Sequence, residues 1–137
     1  MERAWIRARF FIVAIGLAIA AQACSSSNNN NNQPTPTACN TPSTSTTIVI
    51  SGGAACPQNI TVARGSRVTM VNQDSVAHEM YSDPHPEHTD CPEFDSVGRL
   101  PPGTTRQTKN LTVARTCGFH DHINPFVASL AGSIRIQ

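Results

Sequence analysis

Short runs of alternating apolar and polar residues set the texture of the chain from Thr46 onward. "TTIVIS" (46–51) ends at Gly52-Gly53. "NITVA" (59–63) is followed by Arg64-Gly65-Ser66, and "RVTMVN" (67–72) runs into Gln73-Asp74-Ser75. "VAHEMY" (76–81) leads to an irregular stretch rich in Pro, Asp and His, and "LPPG" (100–103) reads as a turn. "TRQTKNLTV" (105–113), "TCGFHDH" (116–122) and "GSIRIQ" (132–137) supply the remaining strand signals. Ile60/Val62, Val68/Met70, Leu111/Val113 and Ile134/Ile136 alternate as half-buried strands do. No window carries a helical period of useful length. The pattern predicts an all-β domain over 46–137, a small Greek-key sandwich or barrel.

The chain ahead of Thr46 has a different character. Arg3, Arg7 and Arg9 precede an apolar run from Phe10 to Ala21, which gives way to Gln22-Ala23-Cys24. A basic head, a short apolar core and small residues at its end predict a secretory signal over 1–23. The run is too short for a stable membrane span. "AAQAC" followed by "SSS" resembles a bacterial lipobox, which would make Cys24 a lipid-bearing residue, although Ala21 stands where Leu is usual. Residues 24–45 are rich in Ser, Asn, Pro and Thr and cannot bury enough apolar surface to offset their ordering entropy. They read as a flexible tether. The expected location is therefore outside the cytoplasm, in a periplasm or at a cell surface, anchored to a membrane through Cys24.

Charge narrows the partners. The 137-residue chain has a formal net charge of +1, but three Arg and one Glu fall within the signal. Beyond it, seven basic and eight acidic residues remain, too few positive charges for a nucleic-acid-binding face. Seven of those acids lie between Asp74 and Asp95, and all five histidines lie between His78 and His122. The ionisable chemistry is confined to two segments. No nucleophile, base and orienting acid stand together as a catalytic set, so an enzymatic role is not indicated.

In "HDH", His120 and His122 sit two residues apart and share one face of a strand. Neutral imidazole suits copper, zinc, iron and nickel. Exposed histidines on a polar strand would look the same if the pair stood alone, but "HEMYSDPHPEH" adds His78, His85 and His88, with Met80 on the His78 face. The proline-rich "DPHPEH" is a loop, and for His85 and His88 a functional role and a plain surface role weigh equally. Glu87 and Asp90 read as solvated acids. With Cys24 set aside, Cys39, Cys56, Cys91 and Cys117 form an even set in an exported chain, as disulfides require. Three pairings are open.

"ITVARGSRVTMVNQDSVAHEM" resembles the front half of a cupredoxin, with Asn72 and Asp74 shortly before His78. "LPPG" is similar to that family's Leu-x-Pro-Gly turn, and "LAGSIRI" to its closing strand. The resemblance covers nearly all of 46–137. It implies a Greek-key β-sandwich with one copper ion at one end, between the His78 strand and the last loop; with the His-x-His pair this makes His78, His120 and His122 the ligand candidates. The departures are as informative. Asp121 occupies the place of the family's ligand cysteine, and Asn124 that of its second histidine. Phe119 should face the core, placing Cys117 and Asp121 on that face and His120 and His122 on the other. A competing register pairs Cys117 with His120 as ligands and leaves Leu130 as a non-coordinating axial residue. The family register favours a disulfide between Cys91 and Cys117, leaving Cys39 with Cys56. Asp121, Cys117, Met80 and His85 are auxiliary ligand candidates.

Two other families share parts of this ending. Phe119-His120-x-His122 followed by Leu130-x-Gly132-x-Ile134 resembles the first domain of multicopper oxidases, and "GFHDH" resembles a copper segment of copper/zinc superoxide dismutases. The missing second domain and the acidic Asp121 rank both activities low. Three readings stay open. One is a copper-binding protein that buffers the ion or delivers it to a receiving protein. A second is a blue-copper electron carrier using Cys117 and His120, with a redox partner. The third is a structural surface lipoprotein with a vestigial site.

Overall fold

The structure is a computed structural model, and residues 39–137 are described. The expected signal, Cys24 and residues 24–38 of the tether lie outside them. Among the described residues nine strands form: β1 (Thr47–Ser51), β2 (Ala54–Cys56), β3 (Asn59–Val62), β4 (Thr69–Asn72), β5 (His78–Ser82), β6 (Gly98–Leu100), β7 (Thr105–Gln107), β8 (Arg115–Asp121) and β9 (Gly132–Ile136). One turn of 3-10 helix, Ala128–Leu130, precedes β9. The strands make two mixed sheets packed as a sandwich, ordered β2-β1-β4-β7 and β3-β9-β8-β5-β6.

Period-two alternation decides which side chains enter the space between the sheets. From the four-stranded sheet come Ile48, Ile50 and Met70; from the five-stranded sheet come Ile60, Val62, Met80, Leu100, Cys117, Phe119, Ile134 and Ile136. Phe94 stacks on Phe119 with ring centroids 5.5 Å apart. Gly132 lets β9 close against this layer: a Cβ there would fall 2.0 Å from the Gln58 carbonyl oxygen and 2.6 Å from the Phe119 ring.

Two sequence expectations need correction. Residues 39–45 belong to the folded unit rather than to a tether: Cys39 is buried and bonded to Cys56. Ser43 exchanges backbone hydrogen bonds with the β3 segment, its N–H donating to Asn59 and its carbonyl accepting from Thr61. Covalent closure anchors a composition that could not fold unaided. The strand expected over 105–113 stops at Gln107. Thr108 turns inward, its N–H donating to the Val68 carbonyl and its hydroxyl accepting from the Val68 N–H. Leu111 then packs in the core as part of an irregular return while Val113 is exposed.

Two disulfides are present among the described residues, Cys39–Cys56 and Cys91–Cys117. The second ties the end of the 83–91 loop to the middle of β8.

Candidate metal centre

Strand β8 carries the site, and its two faces do different things. Cys117, Phe119 and Asp121 point between the sheets, while Gly118 and His120 point outward. Its neighbour β5 is built the same way, with His78, Met80 and Ser82 inward and Glu79 and Tyr81 outward. β5 and β8 pair antiparallel, setting Met80 opposite Asp121 and Tyr81 opposite His120.

On the inner face His78 is held by carboxylates. Its Nδ1 lies 3.0 Å from Asp121 Oδ2 and its Nε2 3.1 Å from Asp74 Oδ2. Asn124 donates to the same Asp121 oxygen at 2.9 Å, and the other Asp121 oxygen accepts from the Glu79 and Ile123 backbone N–H groups. Asp74 in turn accepts from the N–H groups of Gly52 and Gly53. Every strong hydrogen-bonding position on His78 is therefore taken from within the chain. The expected convergence of His78 with His120 and His122 does not occur, because β8 sends Asp121 toward His78 and the two histidines to the opposite side.

Burial raises the pKa of Asp121, but the Asn124, His78, Glu79 and Ile123 hydrogen bonds outweigh it, and the carboxyl titrates below its ordinary value. Asp74 behaves alike, with burial opposed by Gly53, Gly52 and His78. A depressed carboxylate contributes stability that is complete above the unfolded value, about 3.9, and is lost as pH falls through the folded one. Asp121→Asn should therefore lower the melting temperature at pH 6 and narrow the gap to the parent protein below about pH 4. A gap that stays constant between those two pH values would show that the Asp121 charge contributes nothing.

On the outer face four imidazoles gather. His120 and His122 come from β8 and its end, and His85 and His88 from the loop after β5. One ligand atom from each lies within 4.8 Å of every other. His122 Nδ1 stands 3.1 Å from His88 Nε2. Four nitrogens around one ion at about 2.0–2.1 Å would stand roughly 3.3 Å apart in a tetrahedron. The His88–His122 pair is already at that spacing, and no other pair need contract by more than about 1.5 Å. Ring packing holds the group together: His88 lies parallel to His120 at 5.2 Å, His85 stands 4.8 Å from His122, and Tyr81 covers His88 at 4.7 Å.

The tautomers are set from outside the cluster. His88 Nδ1 is 2.9 Å from the Ser82 carbonyl, so it donates there and leaves Nε2 as a lone pair. His120 Nδ1 is 2.6 Å from Asp83 Oδ1, which leaves Nε2. That Nε2 is buried and has no hydrogen-bond partner among the described residues. A buried polar atom without a partner is costly, and a cation supplies the missing partner. Partial desolvation, then His122, His120 and His88, push the pKa of the exposed His85 below the ordinary histidine value. His85 is thereby biased toward its neutral form, which carries the lone pair that a metal requires.

The other sequence candidates fall elsewhere. Met80 is wholly buried in the core on the opposite side of β5. Cys117 is bonded to Cys91 and faces the core, away from His120, so the pairing of Cys117 and His120 as ligands is not formed. Leu130 is buried in the 3-10 turn. His88, left undecided by the sequence, joins the cluster, and Asp83, which the sequence did not single out, supports it. A surface cleft bounded by Cys39, Asn40, Gln58, Ser129 and Gly132 carries no ionisable side chain and offers no competing chemistry.

Among solved structures, a purple cupredoxin from Nitrosopumilus maritimus matches 66% of this chain and 98% of its own length, with TM-score 0.50 and 17% identity. Oxidised plastocyanin from Dryopteris crassirhizoma matches the same share with TM-score 0.51 at 16% identity, over 99% of its length. A copper-containing nitrite reductase from Thermus scotoductus SA-01 matches with TM-score 0.50 at 19% identity, this chain spanning only 22% of it. No protein-family model matches the sequence, and no curated protein matches it. At these identities the likeness concerns the fold, which is cupredoxin-like.

Proposed function

We propose that this chain is an exported copper-binding protein that holds or passes on the ion through His85, His88, His120 and His122, on the outer face of β5 and β8. The observation that carries this reading is the buried, unpartnered Nε2 of His120 within reach of three further imidazoles. The sequence expectation of a His-rich copper site through His120 and His122 is kept, with His85 and His88 in place of His78. Export is supported by the two disulfides, which persist in oxidising compartments. Lipid anchoring at Cys24 and a copper-receiving protein partner complete the reading.

The donor set bears on what the ion can do. Rapid electron transfer in blue sites depends on a copper–thiolate bond within a His/His/Cys set. Cys117 is oxidised, and the family's thiolate position holds Asp121, already occupied by His78 and Asn124. Four imidazoles without sulfur suit binding, buffering or delivery of the ion better than fast redox cycling. A Cu(II) titration of the purified protein, followed by visible absorption with free thiols counted on the same sample, tests the reading. One equivalent bound with a weak ligand-field band and the four described cysteines oxidised is the expected result. An intense blue charge-transfer band with Cys117 free would establish the electron carrier instead. Absence of binding would leave the structural lipoprotein.

A further inference from the structure

We propose that Asp83 is the positioning residue of the four-histidine centre, and that its charge sets the centre to a divalent cation, Cu(II) or Zn(II), in preference to Cu(I). The inference rests on the reading above and adds to it the charge class of the ion.

Asp83 sits at the start of the histidine loop and is fixed from several directions. Its N–H donates to the Gly118 carbonyl at 3.1 Å, and its own carbonyl accepts from Asp90 at 2.7 Å. Its carboxylate lies directly over Gly118: a Cβ at that position would fall 1.9 Å from Asp83 Oδ2 and 2.7 Å from its Cγ. Only a residue without a side chain leaves room for the carboxylate on this part of β8. From that seat Oδ1 reaches His120 Nδ1 at 2.6 Å, while the far nitrogen of the same ring stays buried and unpartnered. A carboxylate behind a ligating imidazole fixes its tautomer and raises the basicity of the free nitrogen. His88 has the uncharged version of this arrangement, from the Ser82 carbonyl.

The charge balance follows from the same atoms. Four neutral imidazoles bring no charge to an ion. Asp83 is the carboxylate hydrogen-bonded to the cluster, while Asp121, also next to the histidines in sequence, points to the inner face and is bound to His78. Among the described residues no sulfur that would favour Cu(I) lies on this face, because Met80 is in the core and Cys91 and Cys117 are bonded together. Nitrogen donors backed by the Asp83 carboxylate stabilise two positive charges more than one.

Three variants separate the parts of this claim. Asp83→Asn keeps an oxygen that can accept from His120 and removes the charge; Asp83→Ala removes both; Gly118→Ala displaces the carboxylate without touching it chemically. Competition titrations with Cu(II), Zn(II) and Cu(I) alone, plus nitrogen-15 NMR of the His120 ring in the metal-free protein, give two readouts. Asp83→Asn should lower Cu(II) and Zn(II) affinity about 10–100-fold while Cu(I) affinity falls less. Asp83→Ala and Gly118→Ala should show the same divalent loss and also release the Nδ1–H tautomer of His120. Melting curves of the metal-free variants establish that they are folded, and Asp83→Asn stands alone if Gly118→Ala is not. Equal losses for all three ions in Asp83→Asn would overturn the charge assignment. An unchanged His120 tautomer in Asp83→Ala would overturn the positioning role, whether or not metal is added. If the parent protein binds none of the ions, the proposed function falls and the cation preference with it. If the parent binds and the Asp83 variants bind equally well, this inference alone falls.

Discussion

Replacing His120 by alanine should lower Cu(II) affinity by more than about a hundredfold, beyond the effect of removing a group that only supports a ligand. The variant should stay folded, because His120 lies on the outer face of β8 and the sandwich core is built on the other. The substitution removes the buried nitrogen that lacks a partner but also the Asp83 hydrogen bond and the His88 ring contact, so the metal-free variant should melt modestly lower than the parent while remaining folded. His78→Ala is the contrasting experiment. It strips one partner from Asp121 and one from Asp74, so it should lower the melting temperature and leave copper affinity unchanged. Titration and melting of the two variants side by side decide between the faces. If His78→Ala abolishes copper binding and His120→Ala does not, the site is on the inner face.

The second large effect concerns the Cys91–Cys117 bridge. Its partners are 26 positions apart. Loop-closure entropy for that length is about 3.5 kcal/mol, within the usual range for a native disulfide in a small exported domain. Loss of that amount from a domain near 100 residues lowers the melting temperature by roughly 15 °C. Cys91→Ala with Cys117→Ala should show this fall in a circular-dichroism melt. Metal affinity should fall too at temperatures where the variant is folded, because the bridge holds the histidine loop against β8. The Cys39–Cys56 bridge lies in neither segment of the site, and its removal should destabilise without changing copper affinity. Equal metal affinity in both double variants would mean that the loop holds its place unaided.

The fold was legible because its signals are local. Period-two alternation in Ile60/Val62 and Ile134/Ile136 places β3 and β9 and their inner faces without knowledge of their partners. The inward direction of Cys117, Phe119 and Asp121 follows from the same rule applied to β8. The ligand set was less legible because it depends on how a proline-rich loop returns across the sheet. Spacing within "DPHPEH" says nothing of that path. The Cys91–Cys117 bridge does: counting three residues back from Cys91 and three forward from Cys117 reaches His88 and His120, whose rings stack in the structure. His78, which the structure sets apart from His120 and His122, entered the expected set through a family site in which Asp121 and Asn124 stand in place of two members. Asp83 escaped notice because what marks it is a space, the missing side chain of Gly118, and spaces have no sequence signature.

Strand β9 is last in chain order yet lies between β3 and β8 in the five-stranded sheet. Its contacts with β3 join residues 74 positions apart, such as Asn59 and Ser133. Pairings so distant form late, because loop closure must precede any gain from the contact. A chain emerging N-terminus first therefore cannot complete this sheet until Gly132–Ile136 has followed. For a protein exported as we propose before it folds, the imidazoles would meet only on the far side. The ion captured would then be drawn from the compartment where folding finishes, so timing adds to affinity in deciding which metal is bound.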